Sequence, residues 1–219
     1  MRARESLALA SVGSISHNGG MSEKVSFWFD PSCPWTWITS RWLVDVARQR
    51  DLDVTWKPFS LFELNRDQEL PEKYRAHIDK IRNWGRISMA VAVEAPDKLG
   101  DFYTAIGTRA HNDGEPQTNE TILAALADVG LDAKLLEQAE AGQYDDAVAA
   151  STQEALDLVG DDVGVPIIQA GGTAFFGPVM SPAPKGEAAL KAWDGTLALA
   201  QTKGFFELKR SRDVGPIFD

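Results

Sequence analysis

The chain predicts an α/β fold in which two mixed segments flank a purely helical one. Residues 23–60 have the pattern of a strand, a helix and a strand, and residues 145–212 that of a helix, two strands around a Gly-Gly turn, and a helix. Residues 61–144 carry helical patterns alone. This order predicts a thioredoxin-like fold with an all-helical insertion between its two halves.

The N-terminal half begins with a strand over residues 24–29 that is apolar on both faces, which is typical of a central strand covered from both sides. We expect Trp28 of this strand to lie in the core, together with Trp37 and Trp42 of the next segment. Helical spacing then runs from Cys33 to about Arg50. Residues 53–59 predict the second strand, and Pro58 marks its end or an edge position.

The predicted insertion opens at Pro71 with one amphipathic helix. Its apolar stripe comprises Tyr74, Ile78, Ile81 and Ile87. Thr118 and Asp132 are expected to cap two further helices. A helix over residues 145–159, a hairpin of residues 164–169 and 173–176, and a helix over residues 186–202 complete the chain.

Charge and hydropathy restrict the partners. The formal net charge of −10 argues against a general nucleic-acid binder, because phosphate contacts need clustered lysines and arginines. No apolar run reaches transmembrane length, so we expect no membrane partner. The apolar stretch within residues 1–22 is interrupted by Ser and Gly, which predicts a disordered tail rather than a secretion signal, and a cytoplasmic protein.

The single cysteine, Cys33, excludes an internal disulfide and a CxxC metal knuckle. His77 and His111 show no metal spacing, so we expect surface or capping roles for them and no metal site. A lone cysteine is often a small core residue. Cys33, however, stands where a buried strand gives way to a helix, and Pro34 suits the first helical position. Because a helix N-terminus favours negative charge, this placement predicts a reactive thiolate with a lowered pKa.

Three stretches resemble a known family. They are FDPSCPWTWITSRW (residues 29–42), GVP (residues 164–166) and FFGPV (residues 175–179). These residues resemble the DsbA-like thioredoxin superfamily, and within it the actinobacterial branch described as mycothiol-dependent nitroreductases. The resemblance extends over about residues 25–212.

The resemblance implies a redox site that departs from the usual pattern. Many members carry a second cysteine three positions after the first, where this chain has Thr36. A monothiol enzyme cannot resolve a mixed disulfide internally, so a second small thiol must complete the exchange. We expect that co-substrate to be mycothiol in an actinobacterium, or glutathione in another organism. We expect no tightly bound cofactor. The Thr36 hydroxyl can donate a hydrogen bond to the Cys33 thiolate.

The resemblance also implies a cleft around the thiol. Val165-Pro166 matches the cis-proline loop that faces the cysteine, and the Val165 backbone would pair with the peptide-like part of a thiol. Pro34 and Trp35 lie beside Cys33, and Trp35 is expected to stack on a flat aromatic substrate. Asn65 matches a polar position near the cleft, with an ordinary loop asparagine as the alternative.

Together these features predict a thiol-dependent oxidoreductase that acts on nitroaromatics or mixed disulfides. Two alternatives stay open. One is a kappa-type thiol transferase or isomerase that activates a bound thiol without covalent exchange. The other is a thioredoxin-fold binding module without redox function. A homodimer is compatible with the sequence, which leaves the oligomeric state open.

Overall fold

The computed structural model describes residues 22–219. The predicted tail over residues 1–22 therefore lies almost wholly outside the described residues. Within them, the predicted order of β-α-β, helices and α-β-β-α is confirmed. No helix of residues 22–219 has both the length and the apolar character that crossing a bilayer requires.

The elements follow the predicted order closely. The strands are β1 (Glu23–Phe29), β2 (Leu52–Pro58), β3 (Ile167–Ala170) and β4 (Thr173–Phe176). The helices are α1 (Pro34–Gln49), α2 (Leu61–Asn65), α3 (Glu72–Lys80), α4 (Arg82–Glu94), α5 (Leu99–Gly107), α6 (Asn119–Asp128), α7 (Lys134–Glu140), α8 (Asp145–Val159) and α9 (Gly186–Ala200). A 3₁₀ turn (Pro96–Lys98) precedes α5, and a π-type turn (Thr108–Asn112) follows it.

The four strands form one sheet in the order β2-β1-β3-β4. Strand β1 pairs with β2 in parallel and with β3 antiparallel, and β3 forms the predicted hairpin with β4. Both faces of β1 are buried: Val25, Phe27 and Phe29 belong to the main core, and Trp28 belongs to a smaller cluster. The prediction of a central strand covered from both sides is confirmed.

The predicted helix after Pro71 is wrong in its length. The helix is interrupted at Ile81, which has a φ of −88° and a ψ of 1° and stands between the end of α3 and the start of α4. Tyr74 is consequently 43% exposed and leaves the expected stripe, whereas Ile78, Ile81 and Ile87 are buried. Helix α4 buries its apolar face in the main core.

The ring of Trp37 in α1 packs against Gly107 in α5. Trp37 and Trp42 are buried as predicted. The ring of Trp37 fills the space in which a Cβ at residue 107 would stand. Glycine is therefore needed here for its lack of a side chain.

We expect Gly107→Ala to lower the free energy of unfolding by about 1–3 kcal/mol, because the added methyl overpacks the contact with Trp37. Gly195 in α9 is the matched control, since nothing lies within 4 Å of a Cβ built there. Gly195→Ala should stabilise the protein by about 0.5–1 kcal/mol through helix propensity. Urea unfolding of both variants measures the difference, and equal stabilisation would contradict the close contact.

Candidate active site

Cys33 lies between the end of β1 and the start of α1. It is the N-cap residue, with extended backbone (φ −85°, ψ 114°), and Pro34 is the first residue of the helix. Its N–H donates to the Asp30 carbonyl at 3.1 Å, and its carbonyl accepts from the Trp37 N–H at 3.1 Å. The thiol is free and partly buried. The predicted position at a strand end and a helix start is confirmed.

The buried carboxylate of Asp30 fixes the turn before the cysteine. It accepts hydrogen bonds from the Ser32 N–H at 2.9 Å, the Ser32 hydroxyl at 2.6 Å and the Leu61 N–H at 2.8 Å. The end of β1, the cysteine turn and the first residue of α2 are thereby joined at one side chain. Burial raises the pKa of Asp30 despite these hydrogen bonds.

The helical insertion holds the same turn from the other side. His111 Nε2 lies 2.9 Å from the Pro31 carbonyl, and it must carry the proton because a carbonyl only accepts. The Gln117 amide donates to the Ser32 carbonyl at 2.9 Å. The two carbonyls that precede Cys33 are therefore both satisfied by the insertion.

The expected surface or capping role of His111 is wrong. The π-type turn after α5 directs His111 inward, and its exposed fraction is only 8%. Its ring lies 6.0 Å from that of Trp37, centroid to centroid. Burial lowers the pKa of His111 and outweighs the hydrogen bond to Pro31, which raises it. The neutral ring is therefore favoured, in the tautomer that carries its proton on Nε2. Isolated histidines carry no sequence signal for such a contact.

The expected lowering of the Cys33 pKa is wrong in the structure. Burial raises the pKa of the thiol above its ordinary value, and the nearby Asp30 carboxylate raises it further. The Thr36 hydroxyl and the N–H groups of Thr36 and Trp35 lower it, but by less than burial raises it. The helix N-terminus thus contributes donors, as predicted, and desolvation outweighs them.

Thr36 stands on the first turn of α1 and is fully buried. Its hydroxyl has no hydrogen-bond partner of standard geometry among residues 22–219. It nevertheless lies close enough to the Cys33 thiol to lower the pKa of that group. A buried hydroxyl normally has a partner, so the neighbouring sulfur is its natural acceptor here.

The cis-proline loop meets the cysteine at the smaller cluster. The Val165-Pro166 peptide bond is cis, and both residues are buried. Val165 belongs to the cluster formed with Trp28, Phe59, Ala155 and Ile167, and Cys33 packs against that same cluster. The structure therefore brings Cys33 and Val165 to the same cluster, with Thr36 beside the Cys33 thiol.

The remaining predicted site residues lie at the edges of this centre. Pro34 and Trp35 are partly buried on the first turn of α1, and the Arg212 guanidinium lies 4.4 Å from the Trp35 ring centroid. Asn65 is buried at the end of α2, where its amide donates to the Leu61 carbonyl at 2.7 Å. One of the two N–H groups of that amide is thus used within its own helix. Residues 22–219 contain no cluster of three or more side chains suited to hold a metal ion.

A free cysteine at the N-cap after β1, beside a cis X-Pro bond and under a helical insertion, defines a DsbA-like protein of thioredoxin fold. Within that class, a family profile matches residues 32–210, and its description is mycothiol-dependent nitroreductase Rv2466c. The chain belongs to this Rv2466c-like family, and the resemblance inferred from the sequence is confirmed.

The chain is also similar to individual proteins. The chain is 32% identical over 198 residues to the uncharacterized protein Rv2286c of Mycobacterium tuberculosis, covering 88% of this chain and 84% of that protein. A probable DsbA oxidoreductase from Streptomyces coelicolor superposes with a TM-score of 0.54 at 18% identity, over 87% of this chain and 94% of that one. A 2-hydroxychromene-2-carboxylate isomerase gives 0.56 at 13% identity, over 80% and 94%. Both structures are similar in fold.

We expect Thr36→Val to raise the pKa of the Cys33 thiol, because it removes the hydroxyl that stabilises the thiolate and keeps the side-chain volume. Alkylation by iodoacetamide at neutral pH should slow by about fivefold, the equivalent of one ordinary hydrogen bond. Thr36→Ser keeps the hydroxyl and is the control, with a rate close to that of the unmodified chain. The alkylation rate of each variant is measured as a function of pH. Identical pH profiles for Thr36→Val and Thr36→Ser would contradict the contact between the Thr36 hydroxyl and the Cys33 thiol.

Proposed function

We propose that the chain is a monothiol oxidoreductase in which Cys33 exchanges with a low-molecular-weight thiol. The observation that carries the proposal is the placement of the single cysteine at the N-cap of α1, with Thr36 where a second cysteine would stand. The name of the family supports mycothiol as the small thiol. A single unpaired thiol suits a reducing compartment, so the proposed location is the cytoplasm.

The exchange takes place in two steps. The Cys33 thiolate attacks a disulfide, a new S–S bond forms at Cys33, the old bond breaks, and the leaving thiolate takes a proton from water. A second small thiol then attacks the mixed disulfide and releases Cys33. Because residue 36 is threonine, this second step has to be intermolecular.

The same small thiols can also reduce a nitroaromatic compound, and the electrons and protons of that reaction balance. Two small thiols are oxidised to one disulfide, and the nitro group takes the two electrons and two protons to give a nitroso group and water. Trp35 is the proposed stacking surface for such a ring, since it is partly exposed beside Cys33. The backbone of Val165 is the proposed partner for the peptide-like part of the thiol. Pro34, Pro166 and Asn65 are proposed as walls of the cleft.

The raised pKa of Cys33 favours a second candidate function. A thiol transferase or isomerase binds a small thiol and activates it without an adduct, so it does not need a thiolate at Cys33. Covalent adducts distinguish this function from exchange. A protein that neither forms an adduct nor binds the thiol would be the binding module without redox function.

Exchange predicts that mycothiol disulfide or glutathione disulfide adds the mass of one small thiol to the protein. Cys33→Ser should show no adduct, because the only sulfhydryl is gone. In Thr36→Cys the introduced thiol stands one helical turn from Cys33, so the adduct should be displaced by an internal disulfide. Intact-protein mass spectrometry measures all three.

Thr36→Ser is the control for the substitution itself and should retain the adduct. Absence of any adduct on the unmodified chain, with tight binding of the thiol, would replace exchange with the transferase function.

A further inference from the structure

The C-terminal segment after α9, residues 201–219, turns back toward the active-site face, and we call it the C-terminal strap. Its distal part is fixed at Ser181, whose hydroxyl donates to the Gly215 carbonyl at 2.8 Å and accepts from the Ile217 N–H at 2.9 Å. The Phe218 ring lies 5.5 Å from the ring of His111, centroid to centroid. The strap therefore contacts the histidine that holds the cysteine turn.

The loop that anchors the strap is itself tied to α1. The Thr39 hydroxyl, one turn after Trp35, lies 2.8 Å from the Pro178 carbonyl and 3.2 Å from the Trp35 carbonyl. Ser181 follows Pro178 in the same loop. The position of the strap is thus set relative to the first turn of α1, where Cys33 lies.

Arg212 is the residue of the strap that meets this first turn. Its guanidinium carbon lies 4.4 Å from the centroid of the Trp35 ring. The side chain is exposed, and no carboxylate of residues 22–219 lies within ion-pair distance of it. A guanidinium that contacts an aromatic ring through its flat face keeps its N–H groups, which lie in the guanidinium plane, available to a ligand.

We propose that Arg212 is a specificity-determining residue that binds a carboxylate on the oxidised substrate of Cys33. The substrate class is a small disulfide that carries a carboxylate near the sulfur. This inference rests on the proposed exchange function and adds the charge of its substrate. Arg212 lies outside residues 32–210, so the family match does not extend to it.

Charge and geometry support this assignment together. A chain with a formal net charge of −10 repels small anions in general, so an exposed cation with no ion-pair partner among residues 22–219 provides local attraction beside Trp35. Arginine pairs with carboxylates through two parallel hydrogen bonds, which orients the bound group. With the carboxylate held at Arg212, the disulfide can lie over the first turn of α1. Cys33 stands there, two residues before Trp35.

The reacting step is the exchange already described. The Cys33 thiolate attacks one sulfur of the bound disulfide, the new S–S bond forms, and the other half leaves as a carboxylate-bearing thiolate. Arg212 touches the carboxylate and takes no part in the bond changes. It should therefore affect the rate only for disulfides that carry the charge.

The test uses two chromogenic disulfides on the full chain at neutral pH. Ellman's reagent carries a carboxylate on each aromatic ring, and dithiodipyridine carries none. We expect Arg212→Gln to slow the reaction of Cys33 with Ellman's reagent by about fivefold, the upper range for an exposed ion pair, with little change for dithiodipyridine. Raising the salt to about 1 M should weaken the preference of the unmodified chain for Ellman's reagent.

Arg210→Gln is the matched control, because Arg210 is an exposed arginine of the same strap. It should leave both rates unchanged. Equal effects of Arg212→Gln on the two reagents, or the same loss in Arg210→Gln, would overturn the assignment of Arg212. A chain whose Cys33 reacts with neither reagent would instead refute the proposed exchange, a different result from a lost charge preference.

Discussion

The architecture of the site depends on the buried carboxylate of Asp30. Its three hydrogen bonds, two from Ser32 and one from Leu61, join the end of the central strand to the cysteine turn and to the start of the next helix. Hydrogen bonds to a charged group contribute about 1.5–3 kcal/mol each, so this one side chain determines the shape of the turn. Its negative charge, however, also raises the pKa of Cys33. The group that positions the thiol thus opposes its ionisation.

The insertion is part of the site and not an appendage to it. Chain reversal before Cys33 leaves the Pro31 and Ser32 carbonyls without partners in the sheet, and His111 and Gln117 supply those partners from the insertion. A buried carbonyl without a donor costs about 1–3 kcal/mol, so the turn and the insertion stabilise each other. Since Phe218 packs on His111, the C-terminal strap also contacts this unit. Three segments far apart in sequence therefore determine the position of one thiol.

Local sequence patterns predicted the helices and strands, but they did not predict the contacts between residues far apart in the sequence. The alternation of strand and helix, the place of Cys33 between them and the hairpin at Gly171-Gly172 follow from periodicity and turn residues, which act over a few positions. The contact of His111 with Pro31 joins residues 80 positions apart, and no local signal encodes such a partner. The predicted direction of the Cys33 pKa shift was wrong for a related reason. The helix start that lowers the pKa is visible in the sequence, whereas the burial that raises it depends on the packed cluster around Val165.

The raised pKa of Cys33 has a chemical consequence for exchange. At neutral pH most of the thiol is protonated, which slows attack, but the thiolate of a weakly acidic thiol is intrinsically the stronger nucleophile. The rate of exchange also depends on the leaving thiol, which departs faster when its own pKa is low. Aromatic thiols are more acidic than alkyl thiols, because the ring delocalises the negative charge. Disulfides with an aromatic leaving thiol are therefore expected to react with Cys33 faster than disulfides of alkyl thiols, because the acidic leaving group offsets the small thiolate fraction.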